Sequence, residues 1–206
     1  MKELFKGCMT IPNLLSLIRI LLVPLFLVVY LRGYKTYALV ILVLSGLTDF
    51  FDGKIARKFN QISEMGKLLD PVADKFTQLS IAVVLFLQFH SSEVEALKYF
   101  SYVFLGFLGK ELLMLIVGSV MVAIGLRPCA AEIYGKIATF AFYFVMMIVI
   151  CFGPEVGALI NIYVMPNWLL MSLVVISLIL TIIAFISYIP DTWRQVKEKT
   201  AKGENK

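Results

Sequence analysis

The chain has 206 residues, of which 60% are apolar and 16% are charged, and its net charge is +5. Soluble globular domains have roughly 45–50% apolar and about 25% charged residues, so an ordinary soluble fold and a disordered chain are both poor explanations. The composition is typical of an integral membrane protein, whose spanning segments are long apolar stretches.

Six stretches are long and apolar enough to cross a bilayer, which takes about 20 residues in a helix. Their length favours helices over barrel strands, which have only about 10 residues and alternate in polarity. We therefore predict an all-α polytopic membrane protein that forms a single domain over residues 1–206. The six predicted spans are 11–31, 37–59, 68–89, 99–125, 134–151 and 168–190.

The two ends of the chain are polar. Residues 2–9 mix lysines with apolar side chains, a pattern that favours a short amphipathic helix at the membrane surface. The first span contains Arg19 and Pro24 and is followed by no small-residue cleavage site, so we do not expect it to be a cleaved signal peptide. The tail, 191–206, is rich in charged residues, and we predict that it is disordered beyond about Trp193.

The distribution of lysine and arginine indicates the orientation. If the amino terminus is cytoplasmic, most basic residues fall on the cytoplasmic side, and only Arg32, Lys35 and Lys98 fall on the other. We therefore expect both termini in the cytoplasm, with membrane lipids around the spans and no nucleic-acid partner. The plasma membrane of a bacterium is the expected location.

Four aspartates lie where the second span ends and the third begins. Asp49 and Asp52 are three residues apart, and Asp70 and Asp74 are four apart, so each pair shares one helix face. Both helix ends lie at the cytoplasmic surface in the predicted topology. We therefore expect the four carboxylates to face one crevice between two antiparallel helices.

Four like charges in one crevice repel each other and need cations nearby. Arg57, Lys67 and Lys75 supply only three positive charges in this part of the sequence. Carboxylate oxygens suit Mg²⁺, Mn²⁺ or Ca²⁺ better than zinc, which prefers histidine and cysteine. The pattern predicts a site for two divalent ions, and the alternative is a salt-bridge network that only holds the helices together.

A two-metal site binds phosphates and stabilises in-line displacement at phosphorus. At headgroup depth its expected substrate is a lipid diphosphate, and one aspartate could take a proton from an attacking alcohol. The stretch 49–74 resembles the signature of the CDP-alcohol phosphotransferase family, D-x2-D-G-x2-A-R-x8-G-x3-D-x3-D. The eight fixed positions are all present at the family's spacing, as Asp49, Asp52, Gly53, Ala56, Arg57, Gly66, Asp70 and Asp74.

The resemblance implies transfer of a phosphatidyl group from CDP-diacylglycerol to an alcohol, with release of CMP. It implies that Asp49, Asp52 and Asp70 bind the Mg²⁺ or Mn²⁺ ions, and that Asp74 completes the metal site and acts as general base. It also implies a homodimer with a cytoplasmic active site. The implied nucleotide-binding residues are Asp49, Asp52, Gly53, Ala56, Arg57 and Gly66.

Two further segments are similar to the phosphatidylglycerophosphate synthases of this family. They are "IPNLLSLIRILLVPLFLV" in the first span and "YGKIATF" at the start of the fifth. This resemblance implies glycerol 3-phosphate as the acceptor. Cations are needed to bind it, and Lys110, Lys136 and Arg19 are the candidates.

The fourth span departs from those synthases, which usually carry an Arg-Glu pair and a second arginine. This chain has Lys110–Glu111, and position 117 is a valine. Because lysine cannot copy the two-pronged grip of arginine on phosphate, the cardiolipin synthases, which use phosphatidylglycerol, are an alternative resemblance. Inositol phosphate and serine remain less favoured acceptors. Lys110 could instead form only an internal charge pair, and Arg19 could be a partner of the aspartates.

Two other classes of function are compatible with a polytopic chain. An ion-coupled transporter would use acidic residues along its path, but here the acids cluster at one membrane face, and no repeats are visible. A structural scaffold would not need the aspartates at all. Release of CMP distinguishes the enzyme from both.

Overall fold

The structure is a computed structural model that describes residues 10–59, 64–124, 126 and 133–204. The predicted surface helix over residues 2–9 lies outside these ranges. Within them the chain forms α-helices and no strands, which confirms the all-α prediction. The helices are α1 (Ile11–Leu31), α2 (Lys35–Lys58), α3 (Glu64–His90), α4 (Glu95–Phe100), α5 (Tyr102–Ala123), α6 (Ile133–Phe152), α7 (Asn167–Ser187) and α8 (Ile189–Glu204).

Five helical segments in the described ranges are long and apolar enough to cross a membrane. The sixth predicted span, 37–59, corresponds to α2, which has 24 residues and is not one of those five. α2 is nevertheless long enough to cross a bilayer, and its carboxyl-terminal half carries two of the aspartates. The five segments are Ile11–Leu31, Leu69–His90, Glu95–Met121, Ile133–Phe152 and Asn167–Lys197.

The structure differs from the sequence prediction at the carboxyl terminus. Residues Ile189–Glu204 form helix α8, so the predicted disorder beyond about Trp193 is wrong. Pro190 lies in the first turn, where its missing N–H costs nothing, and Asp191 interacts favourably with the positive end of the helix. Strong helix formers, chiefly lysine, glutamate and alanine, follow them.

Helix α1 supplies polar groups to an otherwise apolar bundle. It begins at Thr10, whose side-chain oxygen accepts a hydrogen bond from the Asn13 backbone N–H at 3.4 Å. α1 packs against both α2 and α3. The buried residues of α1 include Asn13, Ser16 and Arg19, which recur every three positions and therefore lie on one side of the helix near its amino terminus.

The apolar core lies between α1, α3, α5, α6 and α7 and contains several aromatic pairs. The rings of Phe89 and Phe104 stack with their centroids 5.8 Å apart, and those of Phe107 and Phe142 meet edge-on at 5.2 Å. Many large apolar side chains on the outer faces of the helices are exposed. Acyl chains are the expected neighbours of those faces, because a bilayer presents no water at this depth.

The connection between α6 and α7 folds back onto the end of the bundle opposite the aspartates. The Tyr30 hydroxyl donates a hydrogen bond to the Val156 carbonyl at 2.6 Å, and the Lys35 ammonium donates to the Glu155 carbonyl. Gly153 begins this connection at a point of close backbone approach. A Cβ there would lie 2.5 Å from the Val149 carbonyl oxygen and 2.6 Å from Val156 Cγ2.

We expect Gly153→Ala to destabilise the protein by about 1–3 kcal/mol, because the added methyl group has no space. Gly118→Ala is the matched control, since no atom outside its own stretch of helix lies within 4 Å of the added Cβ. It should be neutral or stabilising by about 0.5–1 kcal/mol. Thermal unfolding in detergent measures both, and equal Tm values for the two variants would contradict this account of the connection.

Candidate active site

Three helices bring the four aspartates together. Asp49 and Asp52 lie near the carboxyl end of α2, and Asp70 and Asp74 lie in the first half of α3. Both pairs meet side chains from α1, which packs between the two helix ends. The site therefore lies at the end of the bundle where α2 ends and α3 begins.

The centre of the cluster is the guanidinium of Arg19, whose side chain is only 2% exposed. Its Nη1 lies 2.6 Å from Asp49 Oδ1 and 3.0 Å from Asp74 Oδ1, and its Nη2 pairs with Asp52 Oδ2. Each contact joins two opposite full charges, the strongest class of hydrogen bond in proteins. One arginine thereby links both aspartate-bearing helices to α1.

Ser16 of α1 contacts Asp70, the one aspartate of the four for which no contact with Arg19 has been described, and so links it to the cluster. Its hydroxyl lies 2.5 Å from Asp70 Oδ1 and 3.4 Å from Asp52 Oδ2. A hydroxyl has a single proton to donate, so the shorter contact with Asp70 is the hydrogen bond. Sequence reasoning missed Ser16. Its signal was the three-residue repeat of Asn13, Ser16 and Arg19 in an apolar helix.

The carboxylates differ in exposure. The side chain of Asp52 is 6% exposed, whereas those of Asp49 and Asp74 are 54% and 41% exposed. Three carboxylates contact the single guanidinium and the fourth contacts Ser16, so these five side chains together carry more negative than positive charge. The two exposed carboxylates are the ones that a ligand can reach without displacing the packing of the helices.

The described side chains contain no group of three or more acidic, histidine or cysteine residues arranged to hold a metal ion as they stand. The guanidinium of Arg19 lies between the carboxylates and supplies the positive charge at the centre of the cluster. The donor set is nonetheless made of carboxylate oxygens and a hydroxyl, which are the ligands that Mg²⁺ and Mn²⁺ prefer.

The remaining motif positions flank this cluster. Positions 53, 56 and 57 lie in α2, and the side chains of Ala56 and Arg57 are outside the described set. Gly66 is buried in the first turn of α3. Both glycines are thus at the two helix ends that meet at the site.

The three acceptor-binding candidates lie in different places. Arg19 is in the aspartate cluster, as the alternative interpretation from the sequence expected, and Lys136 is exposed on α6. Lys110 lies on α5, with its Nζ 2.5 Å from Glu111 Oε1. Lys75, which follows the last aspartate on α3, lies 2.5 Å from the other oxygen of Glu111.

A tyrosine from α6 also reaches the aspartates. The hydroxyl of Tyr143 donates a hydrogen bond to the backbone carbonyl of Asp74 at 3.1 Å. This contact holds α3 against α6 at the residue predicted to act as a base. Sequence reasoning did not find it, because residues 69 positions apart share no local pattern.

Residues 9–183 match the model of the family described as CDP-alcohol phosphatidyltransferase. A CMP-forming cardiolipin synthase of Streptomyces coelicolor is 40% identical over 138 residues, which are 64% of this chain and 60% of that protein. A CDP-diacylglycerol–glycerol-3-phosphate 3-phosphatidyltransferase of Aquifex aeolicus is 34% identical over 183 residues, 87% of this chain and 94% of that protein. A protein of the same name from Wigglesworthia glossinidia brevipalpis is 40% identical over 86 residues, 40% of this chain and 47% of that protein.

We expect Arg19→Met to lower stability by about 3–5 kcal/mol in metal-free buffer, because the buried Asp52 would lose its ion pair with Arg19. Asp49→Asn is the control. It removes an exposed member of the same cluster, and exposed ion pairs contribute about 0–1 kcal/mol. Thermal unfolding of both variants measures the difference. An Arg19→Met protein that melts no lower than Asp49→Asn would show that the guanidinium does not hold the cluster together.

Proposed function

Because the chain belongs to the CDP-alcohol phosphatidyltransferase family, we propose that it transfers a phosphatidyl group from CDP-diacylglycerol to glycerol 3-phosphate or a related alcohol, releasing CMP. The observation that carries this proposal is the convergence of Asp49, Asp52, Asp70 and Asp74 on Arg19 and Ser16 of α1, where α2 ends and α3 begins. The family match favours this activity over the transporter and the scaffold.

Divalent metal ions are part of the proposal. Asp49, Asp52 and Asp70 would hold Mg²⁺ or Mn²⁺, with Asp74 beside them, because carboxylate oxygens are suitable ligands for these ions. The negative charges of the aspartates also outnumber the single positive charge of Arg19. Such ions, when bound, neutralise phosphate oxygens during displacement at phosphorus. The buried Ser16 hydroxyl keeps Asp70 oriented toward the cluster.

Asp74 is the proposed general base. Its carboxylate is 41% exposed, so an alcohol can reach it, and its backbone carbonyl is fixed by Tyr143. The hydroxyl proton of the acceptor would pass to Asp74 while the alcohol oxygen attacks the phosphorus of the phosphatidyl group. Gly53, Ala56, Arg57 and Gly66 are the further proposed contacts of the nucleotide.

The relatives support two acceptors. The Aquifex protein, which aligns with 87% of this chain, is named for glycerol 3-phosphate, and the Streptomyces protein is named a cardiolipin synthase. Lys110 and Lys136 are the proposed cations for an acceptor phosphate, whereas the contacts of Arg19 support a role within the aspartate cluster. We also propose a homodimer in a bacterial plasma membrane, with the site and both termini facing the cytoplasm.

Purified protein in detergent should release CMP from CDP-diacylglycerol only when an acceptor alcohol and Mg²⁺ or Mn²⁺ are both present. Chelation with EDTA should abolish release, and added metal should restore it, because the aspartates need divalent counter-charges to bind the diphosphate. A screen of glycerol 3-phosphate, phosphatidylglycerol, inositol phosphate and serine identifies the acceptor. Undiminished CMP release in EDTA would refute the metal-dependent mechanism.

Asp74→Asn should reduce kcat by at least about 100-fold, the usual lower range for loss of a general base. CDP-diacylglycerol binding should persist, since three carboxylates and the surrounding helix ends remain. Asp191→Asn is a matched control, because Asp191 lies in the first turn of α8 and is not among the contacts of Arg19 and Ser16 that form the aspartate cluster. An Asp74→Asn enzyme with near-normal kcat would remove Asp74 from the mechanism.

A further inference from the structure

Helix α8 begins at the membrane surface, on the side of the bundle that carries the aspartate cluster. The 21 residues of α7 extend for about 31 Å at 1.5 Å per residue, which matches the roughly 30 Å thickness of the hydrocarbon core. Tyr188, between α7 and α8, lines one cavity together with Lys75, the neighbour of Asp74 on α3. The residues after Tyr188 therefore start where the lipid headgroups begin.

The helical hydrogen bonding is interrupted between α7 and α8. The Tyr188 N–H bonds to the carbonyl of Phe185, three residues earlier, instead of the usual four. Pro190 has no N–H to donate to the helix. Helices change direction at breaks of this kind, so α8 is not held to the transmembrane direction of α7.

The side chains of α8 divide into an apolar and a polar side. Ile189, Trp193 and Val196 follow a spacing of four and three residues, which puts them on one face, and they are 51%, 72% and 36% exposed. Thr192 and Gln195, on an adjacent face, are half-buried. An exposed apolar face is unfavourable in water, whereas at a membrane surface it is covered by lipid, and tryptophan is enriched there.

The charged residues are arranged around this apolar face. α8 has four basic and three acidic residues, so its net charge is only +1 and the positions of the charges matter more than their number. With 3.6 residues per turn, Lys197 and Lys199 lie roughly 80° to either side of the apolar face, whereas Asp191 lies on the opposite side. Both lysines are exposed. A helix with its apolar face in the membrane would hold these two ammonium groups at the level of the lipid phosphates.

We propose that α8 is a binding surface for anionic phospholipids, with its apolar face between the outer ends of the acyl chains and Lys197 and Lys199 on lipid phosphates. Zwitterionic phospholipids fit less well, because their own ammonium groups compete with the lysines, whereas an anionic leaflet attracts each basic residue near its surface. The inference concerns residues outside the aspartate cluster. It goes beyond the proposed function and does not depend on which alcohol reacts.

Trp193 can report the position of α8 in the full-length protein. The chain has two tryptophans, and Trp168→Phe removes the other, which lies at the far end of α7. This variant is reconstituted into phosphatidylcholine vesicles with bromine on the acyl chains, with and without phosphatidylglycerol. We expect bromine to quench Trp193 fluorescence at least about twofold more when phosphatidylglycerol is present, because anionic lipid holds the helix on the surface.

Three outcomes of this experiment would overturn the proposal. Equal bromine quenching in the two membranes would show that anionic lipid is not what α8 binds. Quenching by aqueous acrylamide alone would place the apolar face in water. Protection from both quenchers would show that protein covers this face.

The double variant Lys197→Gln/Lys199→Gln, made in the Trp168→Phe protein, tests the two charges. The ratio of docked to undocked α8, measured by bromine quenching with phosphatidylglycerol present, should fall about fivefold for each lysine removed. Arg32→Gln/Lys98→Gln is the matched control, because it removes the same charge from exposed residues at the opposite end of the bundle. It should leave the quenching unchanged. Full quenching in the lysine variant, or an equal loss in both double variants, would refute the pairing of these lysines with lipid.

Discussion

The architecture of the site depends on one buried guanidinium among four carboxylates. Arg19 joins the ends of α2 and α3 to α1, and without it the buried Asp52 would lose this ion pair. Charges of this kind are tolerated in a membrane protein when they pair inside the bundle. The pairing stabilises the fold, yet it leaves more negative than positive charge, and this surplus is what a divalent ion can neutralise. Stability and the proposed binding of metal ions therefore depend on the same side chains.

The sequence was sufficient to predict the helices and the aspartates, because both follow from short-range patterns. Apolar runs of about 20 residues have few alternatives to helices in a bilayer, and the spacing of Asp49, Asp52, Asp70 and Asp74 predicts shared faces. The tail was mispredicted because many charged residues at a chain end are typical of disorder. Local propensity and the favourable first turn of α8 explain the observed helix.

Contacts between helices that are far apart in the sequence could not be predicted from local sequence patterns. Ser16 meets Asp70 across 54 positions, and Tyr143 meets Asp74 across 69. A cavity also lies between α3, α5, α6 and α7. The sequence could not reveal it, because its lining residues belong to four separate spans. The sequence pointed to Lys75 and Lys110 separately, but it did not predict that both pair with Glu111, because only packing brings α3 beside α5. Long-range packing thus determines these contacts, and no local sequence pattern reveals them.

The shared carboxylate of Glu111 has a consequence for how the protein is made. Helix α3 leaves the ribosome before α5, and a charged side chain in a lone spanning helix is costly, by about 2.5–3.5 kcal/mol at the helix centre and by less toward the surface. Lys75 can meet Glu111 only after the later helix arrives. We therefore expect the translocon to retain α3 until α5 has been synthesised, so that the two helices partition into lipid as a pair.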